Sequence, residues 1–176
     1  MTPRPTLNAG ALRDAPALIE SVFPAQKVSF EAQKERKAQA SQTLTALGSF
    51  WKGRKPLILV RAVVLGALLP ATDDAEQDLD AFERLMAFDE ESLARRALAN
   101  NAFNVETLQE LIPITDPERY FSTSGWRRDI GLAEKLELYR PAIATFGSYE
   151  EKAALCKRPE EVDADWLYEP VWPVVN

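Results

Sequence analysis

Residues 50–74 read FWKGRKPLILVRAVVLGALLPATDD: a basic turn, then the most apolar run of the chain, then acids. The run from Pro56 to Pro70 is 15 residues long and contains one charge, Arg61. Its Ile and Val content would also suit a buried strand. The length, the opening proline and the internal arginine favour a helix instead. Pro56 suits the first helical position, where its missing N–H has no intrahelical partner. A membrane span needs about 20 apolar residues, so this run predicts a buried helix and not a crossing. Gly66 in its interior marks the expected close approach of another backbone.

Working outward, the flanking segments predict more helices. APALIESVF (15–23) gives a short one, stopped by Pro24. In SFEAQKERKAQASQTLTALGSF (29–50), Ser29 is the expected cap and Glu31 suits the positive end of the helix dipole. The middle of this helix carries Lys34, Arg36 and Lys37 with almost no apolar face, which predicts a solvated or partner-facing surface. Its later part, through Leu44 and Leu47, is expected to dock before Gly48 ends it.

Beyond the apolar run, Asp73 or Asp74 caps a segment in which Leu79, Phe82, Leu85 and Met86 share one face. DEESLARRALANNAF (89–103) repeats the theme, with acids first, Arg95 and Arg96 later, and Asn100 or Asn101 to end it. Asn104 and Ser148 open further short helices, and a longer one runs through DIGLAEKLELYRPAIATF (129–146). The expected class is mainly α, a multi-helix domain with little or no sheet. Residues 1–14 read as a flexible leader and 15–176 as a single helical domain. The apolar, turn-rich end DWLYEPVWPVVN (165–176) either lies across its own core or belongs to a chain that continues, and the second is the expectation.

Composition narrows the chemistry. Net charge is −6 and the isoelectric point about 4.9, unlike a uniformly basic nucleic-acid binder. The charge is polarised, however: residues 27–61 hold eight bases against two acids, and residues 73–91 hold nine acids against one base. With no histidine and a single cysteine, Cys156, Ser-His-Asp and Cys-His catalysis and any Cys/His zinc site are excluded. An intrachain disulfide is excluded too, which fits a cytoplasmic location. Cys156 is most simply a packing residue. Asp73, Asp74, Asp78 and Asp80 could hold a hard cation, but helix caps and a solvated face explain them better, so no metal is expected. STSGWRRD (122–129) puts Trp126 beside Arg127 and Arg128, a possible nucleic-acid contact or simply a half-buried tryptophan with surface arginines.

The opening stretch also carries a resemblance. Trp51, Arg54, Lys55, Pro56, Leu57, Arg61 and Ala62 match the pattern of the N-terminal domain of a bacterial family of adenine-specific DNA methyltransferases. These enzymes are often found in anti-phage defence islands, and some belong to restriction-modification systems. FPAQKVSFEAQKERKAQASQTLTALG (23–48) and FERLMAFDEESLARRA (82–97) are similar to a defence-associated branch, so the likeness runs from about Leu18 to the end. WKGRKPL looks like the element that, in related amino-methyltransferases, leads a helix lining the S-adenosylmethionine pocket.

The resemblance therefore implies the N-terminal part of a larger α/β methyltransferase. It also implies a cofactor-facing group of Trp51, Gly53, Arg54, Lys55, Pro56 and Leu57. A helix beginning at Pro56 would offer unpaired N–H groups to the methionine carboxylate or a phosphate. Lys34, Arg36, Lys37, Arg127 and Arg128 are the candidate DNA contacts. The departures matter as much: no two glycines are separated by one residue, and no Pro-Pro occurs, so neither the Gly-rich cofactor loop nor the Pro-Pro-aromatic catalytic motif is present. No catalytic residue is expected, and S-adenosylmethionine is expected only in the context of a complete enzyme. The expected partners are DNA, a catalytic methyltransferase domain or other defence proteins, and no membrane. Two other readings stand beside this one: a stand-alone helical interaction subunit of a defence complex, and a helical scaffold without a ligand.

Overall fold

The computed structural model of the protein describes residues 16–40, 55–123 and 125–171. The leader 1–14, the stretch holding Leu44, Leu47, Gly48, Trp51, Gly53 and Arg54, and the tail beyond Val171 lie outside the described residues. The architecture is mainly α, as the periodicity predicts. The chain divides into two compact units, Met1–Met86 and Ala87–Asn176.

In the first unit, α1 (Leu18–Ser21), α2 (Ala25–Ala40), α3 (Leu57–Leu68) and α4 (Ala75–Met86) pack around α3. The apolar run is a helix, with Pro56 as its N-cap residue rather than its first helical residue. Gly66 is where α1 comes closest: a Cβ built there would lie 3.1 Å from the Cβ of Ile19. The segment after α3 also pairs with the chain before α1, through Leu18 N–H to Leu69 O at 2.9 Å and Ala71 N–H to Pro16 O at 2.8 Å. On α4, Phe82 and Met86 are buried and Leu79 and Leu85 half-buried, the face expected from three-four spacing. Phe23 meets the Phe82 ring edge-on, with centroids 5.8 Å apart.

Two expectations for α2 need correction. Ser29 does not cap it, because the helix starts at Ala25, directly after Pro24, and Ser29 sits exposed in its first turns. Nor is α2 without an inward face. Val28, Glu31 and Glu35 share one side of the helix and all three are buried. The inward face exists, but two of its three members are acids.

The second unit is built on α5 (Glu90–Ala99), in which every residue from Ser92 to Leu98 is buried. Around it lie α8 (Leu132–Ala144), α9 (Tyr149–Ala154) and α10 (Ala164–Tyr168), with α6 (Val105–Leu111) against α8. The Asn104 cap read from the sequence holds, and Asp89 and Ser148 cap their helices in the same way. Asp89 accepts from Ser92 N–H, Asn104 from Thr107 N–H at 2.8 Å, and Ser148 from Glu151 N–H at 3.2 Å. Asn101 ends α5 with φ 49°, a left-handed conformation that asparagine tolerates.

A two-residue hairpin, β1 (Phe121–Ser122) and β2 (Gly125–Trp126), follows α7 (Pro117–Tyr120), pairing Phe121 with Trp126. This hairpin and α10 have no counterpart in the sequence reading, being too short for a periodic signal. No described helix is long and apolar enough to cross a membrane.

Candidate functional site: the head of α3 and the basic residues around it

A helix exposes unpaired N–H groups at its start, and Pro56 offers no side chain to cap them. Another element supplies the missing acceptor. Glu35, on α2 and only 2% exposed, takes the Leu57 N–H on Oε1 at 2.9 Å and the Ile58 N–H on Oε2 at 3.2 Å. One carboxylate thereby satisfies two donors, in the position where a bound anion would sit, and its charge lies against the positive end of the helix dipole. The expectation that these N–H groups stand open to a guest is therefore not met. The chain fills the seat with its own acid.

The sequence signals the need for such an acceptor, though not the residue that supplies it. An apolar helix opening on Lys55-Pro56 has no Ser, Thr, Asp or Asn at its cap, so its donors must find an acceptor elsewhere. Glu31 and Glu35 fall at positions i+3 and i+7 from Val28, on the side turned away from Arg36 and Lys37.

Of the residues that the resemblance assigns to the cofactor, Trp51, Gly53 and Arg54 lie outside the described residues, while Lys55 and Leu57 are exposed and Pro56 is buried. Arg61 turns inward and donates through Nη2 to the Leu85 carbonyl, at the last turn of α4. There a guanidinium meets the negative end of that helix.

The candidate DNA contacts divide into two places. Arg36 and Lys37 are exposed and Lys34 is half-buried on α2, at the end of the helix pair where Glu35 clasps α3. Arg127 and Arg128 follow the hairpin of the second unit. Arg127 is held by Asp129 through two bonds, of 3.0 and 2.9 Å. Its guanidinium keeps the Asp129 carboxyl below the usual carboxylate range. It lines a shallow depression with Arg119 and the acids Asp116, Glu118, Asp129 and Glu134, where carboxylates outnumber guanidiniums. Arg128 is exposed. Trp126 is half-buried against Phe121 at 4.9 Å between centroids, with the Lys135 ammonium 5.3 Å from its ring centre.

The acids after α3 have structural partners. Asp74 accepts the Gln77 N–H at 3.0 Å, Asp78 is buried and accepts both the N–H and the hydroxyl of Thr72, and Asp80 pairs with Arg84 at 2.8 Å. Among the described residues, no cluster of three or more Cys, Asp or Glu is placed to hold a metal ion. Cys156 is buried, with Sγ 3.2 Å from the Leu93 carbonyl oxygen.

Sequence reasoning missed the buried arginines of the second unit. Arg96 is 0% exposed, donating from Nε to Lys157 O at 2.8 Å and from Nη1 to Ala87 O at 2.9 Å. Arg95 reaches Glu91, Glu169 and the Trp166 carbonyl, and its guanidinium stacks 5.2 Å from the Trp166 ring centre. Only their place in a helix flanked by apolar residues on every side hints at burial.

A family model described as a protein of unknown function (DUF1156) matches residues 22–85. That segment covers α2 through nearly all of α4, and so includes Glu35 and the head of α3. No curated protein and no solved structure matches the chain.

Proposed function

We propose that the chain is the N-terminal module of an S-adenosylmethionine-dependent, adenine-specific DNA methyltransferase acting in phage defence. The observation that carries this reading is the element from Trp51 to Ala62, which resembles the one that opens the cofactor-lining helix of such enzymes. The element lies wholly within the segment matched by the family model. With the N–H groups of Leu57 and Ile58 taken by Glu35, the cofactor contact in this reading comes from side chains. Trp51 offers a flat face to a purine, and Arg54 and Lys55 offer charge to a carboxylate. Gly53, Pro56 and Leu57 complete the group that the resemblance assigns to the cofactor. Methyl transfer itself requires the Gly-rich loop and Pro-Pro-aromatic motif of a catalytic domain, because this sequence contains neither.

DNA contact falls to α2. Arg36 and Lys37 are exposed, one and two residues after the clasping Glu35, which fixes the direction in which they point. Arg127, held by Asp129, contributes less than Arg128.

The test is fluorescence anisotropy with a labelled duplex between 50 and 200 mM salt. Weak binding that falls steeply with salt is expected, as phosphate contacts release counterions. Replacing Lys34, Arg36 and Lys37 together by alanine is expected to weaken binding at least tenfold. A duplex that does not bind at 50 mM salt, or binds the triple variant equally well, removes the DNA contact. The same chain is expected to hold S-adenosylmethionine only weakly in equilibrium dialysis. If neither ligand binds, a stand-alone helical interaction subunit of a defence complex becomes the better reading. The exposed aliphatic face of α3 favours that alternative.

A further inference from the structure

α3 is apolar on both sides. Ile58, Ala62 and Gly66 form its buried face. Its outward face carries Leu57, Val60, Val63, Val64 and Leu68, exposed by 60, 45, 43, 47 and 66%, with Ala67 also exposed among them. These residues span roughly 140° of arc without one polar side chain. A helix that is hydrophobic all round belongs in an interior. The five large side chains make a patch on the order of 400 Å², in the range where an apolar surface usually marks an interaction site.

The two ends of this patch differ in charge. At the N-terminal end of α3 lies the exposed Lys55, and the exposed Arg36 and Lys37 follow the clasping Glu35 on α2. At the C-terminal end, the chain runs through exposed Asp73, Asp74 and Glu76. An aliphatic stripe that is basic at one end and acidic at the other is complementary to itself when one copy is reversed.

We infer that the outward face of α3 docks a second copy of this chain, with the two α3 helices antiparallel about a two-fold axis. Leu57 then lies against Leu68 of the second copy, and Val60 against Val64. The basic end of each stripe meets the acidic end of the other, as an isologous interface requires. Opposed helix dipoles add to the attraction. The patch is about half of the ~800 Å² per partner that a standard stable complex buries. The dimer is therefore reversible and concentration-dependent. The inference does not rest on the methyltransferase reading.

Sedimentation equilibrium on the full chain tests it. The weight-average mass is expected to rise from the monomer value of 19.7 kDa toward twice that value with concentration, and to stop there. A mass fixed at the monomer value up to several hundred micromolar overturns the inference, and so does growth past the dimer. Val64→Asp is expected to weaken the dimer at least tenfold with helical circular dichroism retained, and an unchanged dimer with this variant overturns it.

Charge exchange tests the antiparallel order without touching the apolar face. Arg36→Glu with Lys37→Glu, and Asp73→Lys with Glu76→Lys, should each weaken association several-fold. The four changes in one chain should restore it. Losses that add instead of cancelling overturn the antiparallel arrangement.

Discussion

The two units solve the same problem with opposite charges. Each buries helix ends whose backbone groups need partners. In the first unit the buried partners are acids: Glu35 accepts from Leu57 and Ile58, and Asp78 accepts from Thr72 N–H at 2.7 Å. In the second they are arginines: Arg96 donates to the carbonyls of Ala87 and Lys157, and Arg95 to that of Trp166. The physical reason is which end of the backbone is left over. Helix starts present N–H groups and attract carboxylates, whereas turns after helix ends present carbonyls and attract guanidiniums. The buried charges of Glu35, Asp78, Arg95 and Arg96 are therefore a form of capping carried out from a distance.

The sharpest way to break that comparison is to remove Arg96. Arg96→Met leaves two carbonyls without their guanidinium in a site closed to water. It should cost about 3 kcal/mol, measured as a lowered urea midpoint with unchanged slope. Arg96→Lys should recover little, because one ammonium lacks the planar fork that reaches both oxygens. Hydrogen exchange should quicken in peptides from 90–99. Loss confined instead to 57–68 would mean that the second unit does not depend on its arginine.

Next in size is Glu35. Glu35→Ala strips the acceptors from the start of α3 and should cost about 2 kcal/mol. Glu35→Gln keeps one acceptor oxygen and should cost about half as much. Faster exchange is expected at Leu57 and Ile58 first. An alanine variant as stable as the parent chain would show that water serves those N–H groups equally well, and the parallel with Arg96 would fail.

A third test uses pH. Glu91 bridges Arg140, at 2.6 Å, and Arg95, at 2.9 Å, tying α8 to α5. The hydrogen bond from Arg140, followed by that from Arg95, holds its carboxyl below the usual value of 4.5 against the opposing effect of burial. A folded-state pKa lower than the unfolded one adds stability that is full above about pH 4.5 and disappears as pH falls through the folded value. Glu91→Gln should cost about 1 kcal/mol at pH 7 and flatten the loss of stability below about pH 4.5. An acid limb of unchanged steepness in the variant would assign the acid sensitivity to other carboxylates.

How much of this was legible from the sequence depended on the kind of signal. Periodicity located the helices, and side chains next to their own helix starts revealed the caps at Asp74 and Asn104. Gly66 announced the approach of Ile19, whose Cβ would lie 3.1 Å from a Cβ built there, closer than an ordinary contact. The reading failed where a charge serves a distant backbone. Glu35 lies 22 residues from the N–H of Leu57, and Arg96 lies 61 residues from the carbonyl of Lys157. A charged residue at such a position looks like a solvated one until the fold brings its partner to it. Ser29 misled for the converse reason: a good capping residue is only a cap if the helix begins there. At the candidate site, the basic turn was legible as chemistry. That the chain fills the anion seat beside it was not.

The clasp of Glu35 on α3 has one more consequence. Successive residues of α2 turn by about 100°. A slip of α2 by a single residue would rotate Glu35 away and bring Lys34 or Arg36 toward the positive head of α3, where like charges repel. The carboxylate thus acts as a key for the pairing, admitting one sliding position of these two helices and rejecting its neighbours by sign alone.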